Sequence, residues 1–204
     1  MDAKQYAPAT QRNREPILEI LKRILPPEST ILEIASGTGE HAVFFASKLS
    51  SRRWIPSDFN PLLRDSINAW REESDSVTNL EEPLAIDVNE SQWEIETKDI
   101  KIDAIVNINM IHISPWKSCL GLMAGAGRIL SSGGILYLYG PFKQKGEHTA
   151  SSNVSFDESL RRQNPEWGVR DLEAVARIAN SEGFTLEETI AMPANNLSVV
   201  FKRK

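Results

Sequence analysis

The sequence predicts an α/β protein: a doubly wound, seven-stranded sheet, mostly parallel with an antiparallel last strand, and helices on both faces. Three observations point there. Short apolar runs of strand length alternate with amphipathic stretches of helical period along most of the chain, the pattern of strand-helix units. Turn signals separate them: Ser36-Gly37-Thr38-Gly39, Asn60-Pro61, Ser114-Pro115 and Gly133-Gly134. The last two apolar runs are joined only by a Pro-Ala-Asn-Asn turn, too short for a crossover, so they pair antiparallel.

Taken in order, residues 1–13 form a polar lead. Ile17, Leu18, Ile20, Leu21 and Ile24 then repeat with helical spacing, Pro16 suits a first helical turn, and Pro26-Pro27 ends the helix. Residues 30–35 (TILEIA) read as the first strand, and 40–49 as a helix turning Ala42, Val43, Phe45 and Ala46 to a core. Residues 53–57 (RWIPS) are a weaker strand, and Asn60-Pro61 caps a helix to about residue 73. A short third strand is expected at 84–86. Residues 102–108 (IDAIVNI) are nearly continuous in apolar side chains, as parallel strands buried on both faces are. Ser114-Pro115 opens a helix to about residue 130, and 135–139 form a fifth strand. Residues 143–167 are polar, with a helical tendency only near 156–162. So long a connection suits a lid or binding loop. A helix (170–181) and two strands (184–191 and 197–202) close the chain.

Composition narrows the function. A length of 204 residues fits one domain, 1–204. A net charge of −5 argues against a nucleic-acid binder, whose surface usually carries a basic stripe. The lone Cys119 excludes an internal disulfide, and no Cys/His spacing suits structural zinc, so no metal is expected. Without an apolar signal region or a membrane-length run, the expectation is a soluble, cytoplasmic domain without a membrane partner.

The acids around the glycine turn identify a ligand class. Gly37 and Gly39 stand between a strand and a helix, a phosphate or dinucleotide signal in general form. Small residues at such a turn also serve helix–strand packing. Glu33 lies inside the first strand among apolar neighbours, where a carboxylate needs a partner: a structural one, a cationic ligand group, or the amides of the turn. Asp58 ends the second strand, placed either to accept a ribose diol or to start the next helix. Asp87 follows the expected third strand, as a ligand contact or as ordinary turn chemistry. Three acids at the carboxyl ends of successive strands occupy the edge where open α/β sheets bind ligands. They match a cofactor with adenosine and positive charge but no phosphate, which favours S-adenosylmethionine over NAD.

Residues 31–42 (ILEIASGTGEHA), 56–61 (PSDFNP) and 107–116 (NINMIHISPW) resemble the class I, Rossmann-like S-adenosylmethionine-dependent methyltransferases. More closely the chain resembles the uncharacterised methyltransferase-like 26 family (domain of unknown function 938), a likeness that also takes in residues 11–20 and 152–171. Ala35-Ser36-Gly37 stands where many class members have three spaced glycines, though this form is typical of the closer family. The resemblance implies that Glu33 orients the turn and the methionine ammonium, and that Ala35, Ser36, Gly37 and Gly39 let backbone approach the methionine moiety. It implies that Asp58 and Phe59 take the ribose end, that Asp87 and Val88 meet the adenine, and that Asn107 and Asn109 lie where the methyl is presented.

Methyl transfer from a sulfonium is an in-line displacement that positioning alone accelerates, so no triad is required. Where the acceptor must lose a proton, His112 is the candidate base because its ordinary pKa lies near neutrality; the alternative is a ring capping backbone beside Ser114-Pro115. His41, early in a helix, is read as a packing group. Trp116 is an acceptor-pocket wall or a core residue. Phe156 and Trp167 sit in the long polar stretch, where large aromatics suit a substrate lid. Asn13 and Arg14, ahead of the first helix, either close over the site or cap. The function expected is methyl transfer to a small-molecule acceptor. A non-catalytic module that binds the cofactor or a protein partner is the alternative, and an NAD oxidoreductase is a third reading. The oligomeric state is open.

Overall fold

A computed structural model describes residues 3–74 and 76–204; residues 1 and 2 of the expected polar lead lie outside the described residues. The chain forms two compact units, one holding the chain up to Asp87 together with Gln92–Asn107, the other Val88–Ser91 and Ile108–Lys204.

The first unit runs α1 (Pro8–Ile24), β1 (Thr30–Ile34), α2 (Glu40–Lys48), β2 (Arg53–Ser57), α3 (Pro61–Glu72) and β3 (Ala104–Ile108, whose last residue belongs to the second unit). β1 lies between β2 and β3 and pairs with both in parallel, Glu33 opposite Pro56 on one side and Val106 on the other. Ile31, Leu32 and Ile34 are all buried, as a central parallel strand requires. At α3, the Asn60 side chain accepts the Leu62 N–H at 3.0 Å and Pro61 follows in the first turn, as the sequence predicts.

Two elements of this unit differ from the sequence reading. The first helix begins at Pro8 rather than after residue 13, and Pro16 lies in its interior. Proline there removes one helical hydrogen bond. Burial of Ile17, Leu18 and Leu21 outweighs that loss and carries the helix through. Residues 84–86 form no strand. Asn79, Glu81 and Leu84 exchange main-chain bonds with Trp54, Pro56 and Asp58, but only as isolated bridges at Leu80 and Leu84. Pro56 and Pro83 bring no N–H, which leaves the ladder gapped.

The second unit runs α4 (Trp116–Ile129), β4 (Ile135–Gly140), β5 (Phe142–Gln144), β6 (Glu147–His148), α5 (Ser151–Gln163), β7 (Arg170–Asp171), α6 (Leu172–Ser181), β8 (Phe184–Met192) and β9 (Asn196–Arg203). β9 pairs antiparallel with both β4 and β8, closing the predicted terminal hairpin. The core here includes Leu136, Leu138, Val175, Phe184, Val199 and Phe201. The Tyr137 hydroxyl is buried but satisfied by Ser198 Oγ at 2.7 Å. The observed α/β fold therefore has a mixed sheet of six strands where the sequence predicts seven, and its last strand, β9, is antiparallel to both neighbours as expected.

Residues 143–167 are not an open loop. A short hairpin, β5 and β6, turns at Lys145-Gly146, and α5 occupies Ser151–Gln163. Charge rather than an apolar stripe orders this stretch. The buried Asp157 carboxylate lies 3.1 Å from Lys143 Nζ, 3.2 Å from His148 Nε2 and 3.2 Å from Arg161 Nε. It also accepts the Val169 N–H at 2.8 Å. Burial pushes its carboxyl up, but the Val169 N–H, Lys143 and Arg161 outweigh that and hold it below the usual carboxylate range. Among the described residues, no helix is long and apolar enough to cross a membrane.

Candidate functional site

The first cluster of sequence-predicted residues lies in the first unit. Beyond β1 the chain turns through three left-handed residues, Ala35 (φ 58°), Gly37 (φ 58°) and Gly39 (φ 93°). Gly39 is needed for packing: a Cβ there would stand 2.9 Å from the Ile67 Cα of α3. Around the Cβ position of Gly37 nothing lies within 4 Å, so its face of the turn is open to a ligand.

Asp58 faces the same turn. One carboxylate oxygen accepts the Gly37 N–H at 3.1 Å and the other the Asn60 N–H at 2.9 Å. Burial raises the Asp58 pKa, and these two N–H donors and the nearby Arg64 oppose the rise. Asp58 thus ties the glycine turn to Asn60, the residue that caps α3. A carboxylate has about four lone-pair positions, so two hydrogen bonds leave acceptor capacity for hydroxyls. Phe59, the next residue, is 68 % exposed.

Glu33 is 1 % exposed and has a structural partner that the sequence reading did not name. Trp54 Nε1 donates to its carboxylate at 2.7 Å. Burial still dominates and pushes its pKa up from 4.5 to about 7, against the Trp54 and Ser36 hydrogen bonds. Ser36 and Ser57 knit the ends of β1 and β2 together. Ser36 N–H donates to the Ser57 carbonyl at 2.8 Å, and Ser57 Oγ donates to the Glu33 carbonyl at 2.7 Å. Asn107 is buried, its amide donating to the Ile34 carbonyl at 3.0 Å. That bond braces the end of β1 against β3. Asp87 is half-buried in the first unit. Val88 belongs to the second, where its carbonyl lies so close to Gly121 of α4 that a side chain there would collide.

Asn13 and Arg14 do not precede the first helix; both ride on α1. Asn13 Oδ1 lies 2.8 Å from His41 Nε2 of α2, a hydrogen bond in which the ring N–H donates. Burial, with Arg14 nearby, lowers the His41 pKa to about 4, so this ring is neutral. Arg14 stacks on Phe44 instead of capping.

The second cluster lies in the second unit, around the end of β4. Asn109 adopts a left-handed conformation (φ 59°), and its N–H donates to the Tyr139 carbonyl at 2.9 Å. The space a Cβ of Gly140 would fill is 3.1 Å from His112 Cε1 and Nδ1 and 3.7 Å from Asn109 Oδ1. Glycine at 140 therefore gives the His112 ring its room at this strand end, while Asn109 stands at ordinary contact distance. Phe156 of α5 meets the His112 ring edge-on, with centroids 5.7 Å apart. His112 is 3 % exposed, and its Nδ1 is buried without a hydrogen-bond partner. Burial, helped by Arg170, lowers its pKa to about 4. This corrects the reason for which the sequence selects it: the ring is a neutral proton acceptor but a weaker base than an ordinary histidine.

Arg170 went unnoticed in the sequence. Its guanidinium donates to the carbonyls of Ile111 (2.9 Å), Ser114 (2.5 Å) and Glu166 (2.8 Å) and lies over Trp116 at 5.7 Å. Gly168 N–H donates to the His112 carbonyl at 3.0 Å. Arg170 and Gly168 together tie the segment around His112 to the residues before β7. Trp167 is half-buried beside them. Nothing in the sequence around Arg170 distinguishes it from a surface arginine.

Among the described residues, no group of three or more His, Cys, Asp and Glu is placed to hold a metal ion. The first cluster does fit an adenosyl cofactor. It offers an open glycine face, a carboxylate with spare acceptor capacity, an exposed aromatic ring and no Lys or Arg within the turn to call for a phosphate.

Comparison with solved structures places the fold among methyltransferases. An O-methyltransferase family protein from Burkholderia thailandensis superposes with a TM-score of 0.79 at 12% identity, over 96% of this chain and 57% of that one. An O-methyltransferase family 2 protein from Planctomyces limnophilus, in complex with apigenin, gives 0.78 at 16%, over 96% and 60%. Human N-acetylserotonin methyltransferase, in complex with SAM, gives 0.76 at 12%, over 96% and 52%. The chain spans only between half and two thirds of the length of these proteins, and at such identities the likeness is one of fold. A family model described as a protein of unknown function, DUF938, matches residues 4–203. With nearly the whole chain matched, this protein belongs to the DUF938 family.

Proposed function

We propose that this chain transfers a methyl group from S-adenosylmethionine to a small-molecule acceptor. The observation that carries the reading is the pairing of Gly37 with Asp58, an open left-handed glycine whose N–H is held by the acid ending the adjacent strand. The sulfonium of the cofactor would supply the methyl group. In the first unit, Glu33 takes the methionine ammonium, the backbone of Ala35, Ser36, Gly37 and Gly39 follows the methionine chain, and Asn107 braces β1. Asp58 accepts the ribose hydroxyls through its remaining lone pairs, Phe59 offers an exposed ring to the adenine, and Asp87 reads the adenine amino group. In the second unit, Val88 packs on the adenine. Asn109 orients the acceptor, His112 receives its proton, and Trp116, Phe156 and Trp167 select it. The runs ILEIASGTGEHA and NINMIHISPW support kinship with the methyltransferase-like 26 family. The acidic net charge supports a small acceptor over nucleic acid, and a cytoplasmic setting.

The lowered pKa of His112 favours a second reading, in which the fold binds the cofactor without turning it over. Calorimetric titration with S-adenosylmethionine, S-adenosylhomocysteine and NAD tests both. Roughly micromolar binding of the first two and none of the third supports the cofactor assignment. Consumption of S-adenosylmethionine with an acceptor present then separates enzyme from binding module. Absence of adenosyl binding removes both readings.

A further inference from the structure

Ahead of α1, residues 4–7 are strapped to α3 within the first unit. The Lys4 ammonium pairs with Glu73 and stands over the Trp70 ring, 5.1 Å from its centroid. Tyr6 meets the same ring edge-on at 5.2 Å, and the Trp70 indole N–H donates to the Gln5 carbonyl at 3.1 Å. Gln5 and Tyr6 are themselves exposed, so polar and ring contacts rather than buried apolar side chains dock this strap.

Two hydrogen-bond relays lead from the strap to Thr38, which stands between the left-handed Gly37 and Gly39. In one, the Gln5 N–H donates to Ser66 Oγ at 2.8 Å, and the Ser66 hydroxyl donates to the Thr38 carbonyl at 2.7 Å. In the other, one oxygen of the Glu40 carboxylate accepts both the Ala7 N–H and, at 3.2 Å, the Thr38 hydroxyl. A serine hydroxyl has a single hydrogen, so accepting from Gln5 turns that hydrogen toward Thr38. Ser66 and Glu40 are both buried, and neither takes part in the cofactor or acceptor assignments above. A turn with two glycines loses much conformational freedom when it is ordered. Bracing Thr38 at both its carbonyl and its hydroxyl meets that cost before a ligand arrives.

We infer that Ser66 and Glu40 are positioning residues of the glycine turn, and that docking of residues 4–7 on α3 sets how tightly the turn takes its ligand. The inference rests on the cofactor reading for the identity of that ligand. Such coupling is reciprocal: the docked strap strengthens cofactor binding, and the cofactor tightens the strap by the same factor.

The test combines calorimetric titration with S-adenosylhomocysteine and amide hydrogen exchange of the full chain. Gln5→Pro deletes the N–H that Ser66 accepts, at an exposed position. Ala3→Pro, just outside the strap, is the control for proline itself. Gln5→Pro should bind S-adenosylhomocysteine about tenfold more weakly than wild type, and Ala3→Pro should match wild type. Exchange in Gln5→Pro should quicken at Gly37 and Gly39, whose N–H groups donate to Asp58 and to the Ser36 carbonyl, and stay unchanged at Leu32 and Glu33 of β1. A merely structural loss would quicken β1 as well. In wild type, S-adenosylhomocysteine should slow exchange at Gln5 and Ala7. Ser66→Ala and Glu40→Ala, each cutting one relay, should reproduce the effect on the turn. If Gln5→Pro fails to fold, Ser66→Ala decides on the same readouts. Wild-type exchange at Gly37 and Gly39 in a folded variant, or unchanged affinity where wild type binds, would overturn the inference. If wild type binds no S-adenosylhomocysteine the cofactor reading fails, and exchange at the turn alone decides whether the strap positions it.

Discussion

The indole N–H of Trp54 donates to the buried carboxylate of Glu33 at 2.7 Å, joining β2 to β1 beneath the glycine turn. Burial makes Glu33 hold its proton more tightly in the folded chain. Between its ordinary 4.5 and about 7 the folded state therefore carries the extra proton, and rising pH removes stability through that window. Glu33→Gln keeps an acceptor for Trp54 and cannot ionise. It should be more stable than wild type above about pH 7 by a few kcal/mol, with the difference vanishing near pH 4. Trp54→Phe should cost about 1–2 kcal/mol more at pH 8 than at pH 5, because a hydrogen bond to a charged acceptor is worth more. Denaturant unfolding across pH checks both; parallel curves for wild type and Glu33→Gln would show that folding leaves the Glu33 pKa unshifted.

Asp58 and Phe59 separate binding from stability. Asp58→Asn should weaken S-adenosylmethionine by about 1.5–3 kcal/mol, the scale of a charge-assisted bond to the ribose. Phe59→Ser, at a 68 % exposed position, should leave the melting temperature nearly unchanged while lowering affinity. Calorimetry with matched thermal melts reads both. Wild-type affinity in the folded variants would remove these two residues from the cofactor site.

The two glycines of the turn should respond differently. Gly39→Ala places a methyl 2.9 Å from the Ile67 Cα in a left-handed backbone, so a loss of about 2–4 kcal/mol in stability is expected. Gly37→Ala meets nothing within 4 Å and should cost only about 1 kcal/mol of conformational strain. Its larger effect should fall on cofactor affinity. Equal destabilisation of the two variants would contradict the packing role of Gly39.

His41 and His112 both have pKa values near 4 in the fold against an ordinary 6.5. The unfolded chain therefore takes up protons first on acidification, and stability falls as pH drops from 6.5 toward 4. Glu33 and Asp58, shifted upward, act in the opposite sense. Two histidines against Glu33 leave about one net proton near pH 5.5, a slope of about 1 kcal/mol per pH unit. His112→Gln should flatten that slope, and Glu33→Gln should steepen it to about 2 kcal/mol per unit. An unchanged slope in His112→Gln would mean that His112 is charged in the fold.

The strands 30–34 and 104–108, the terminal hairpin, and the turn with Gly37, Gly39 and Asp58 were legible because each depends on local chemistry. An interior parallel strand must be apolar on both faces, a left-handed turn selects glycine, and an acid at a strand end is visible where it stands. Strand 84–86 misled because its apolar residues are in place while Pro56 and Pro83 deny the ladder its donors. Helix α5 was only partly visible because it is anchored by the charges meeting at Asp157, and charge pairs leave no periodic signal.

The sequence by itself determined the alternation of elements, the acid-lined glycine turn and hence the class of ligand to expect. Only the tertiary structure decided that Trp54 satisfies Glu33, that Gly140 makes room for His112, and that Arg170 holds the carbonyls around it. The physical reason is range. Backbone conformation and burial pattern are set by neighbours a few residues apart. The pKa of a buried group and the partner of a buried donor are set by whatever the fold brings within about 3 Å, here 21 residues away for Glu33 and Trp54 and 59 for Ile111 and Arg170.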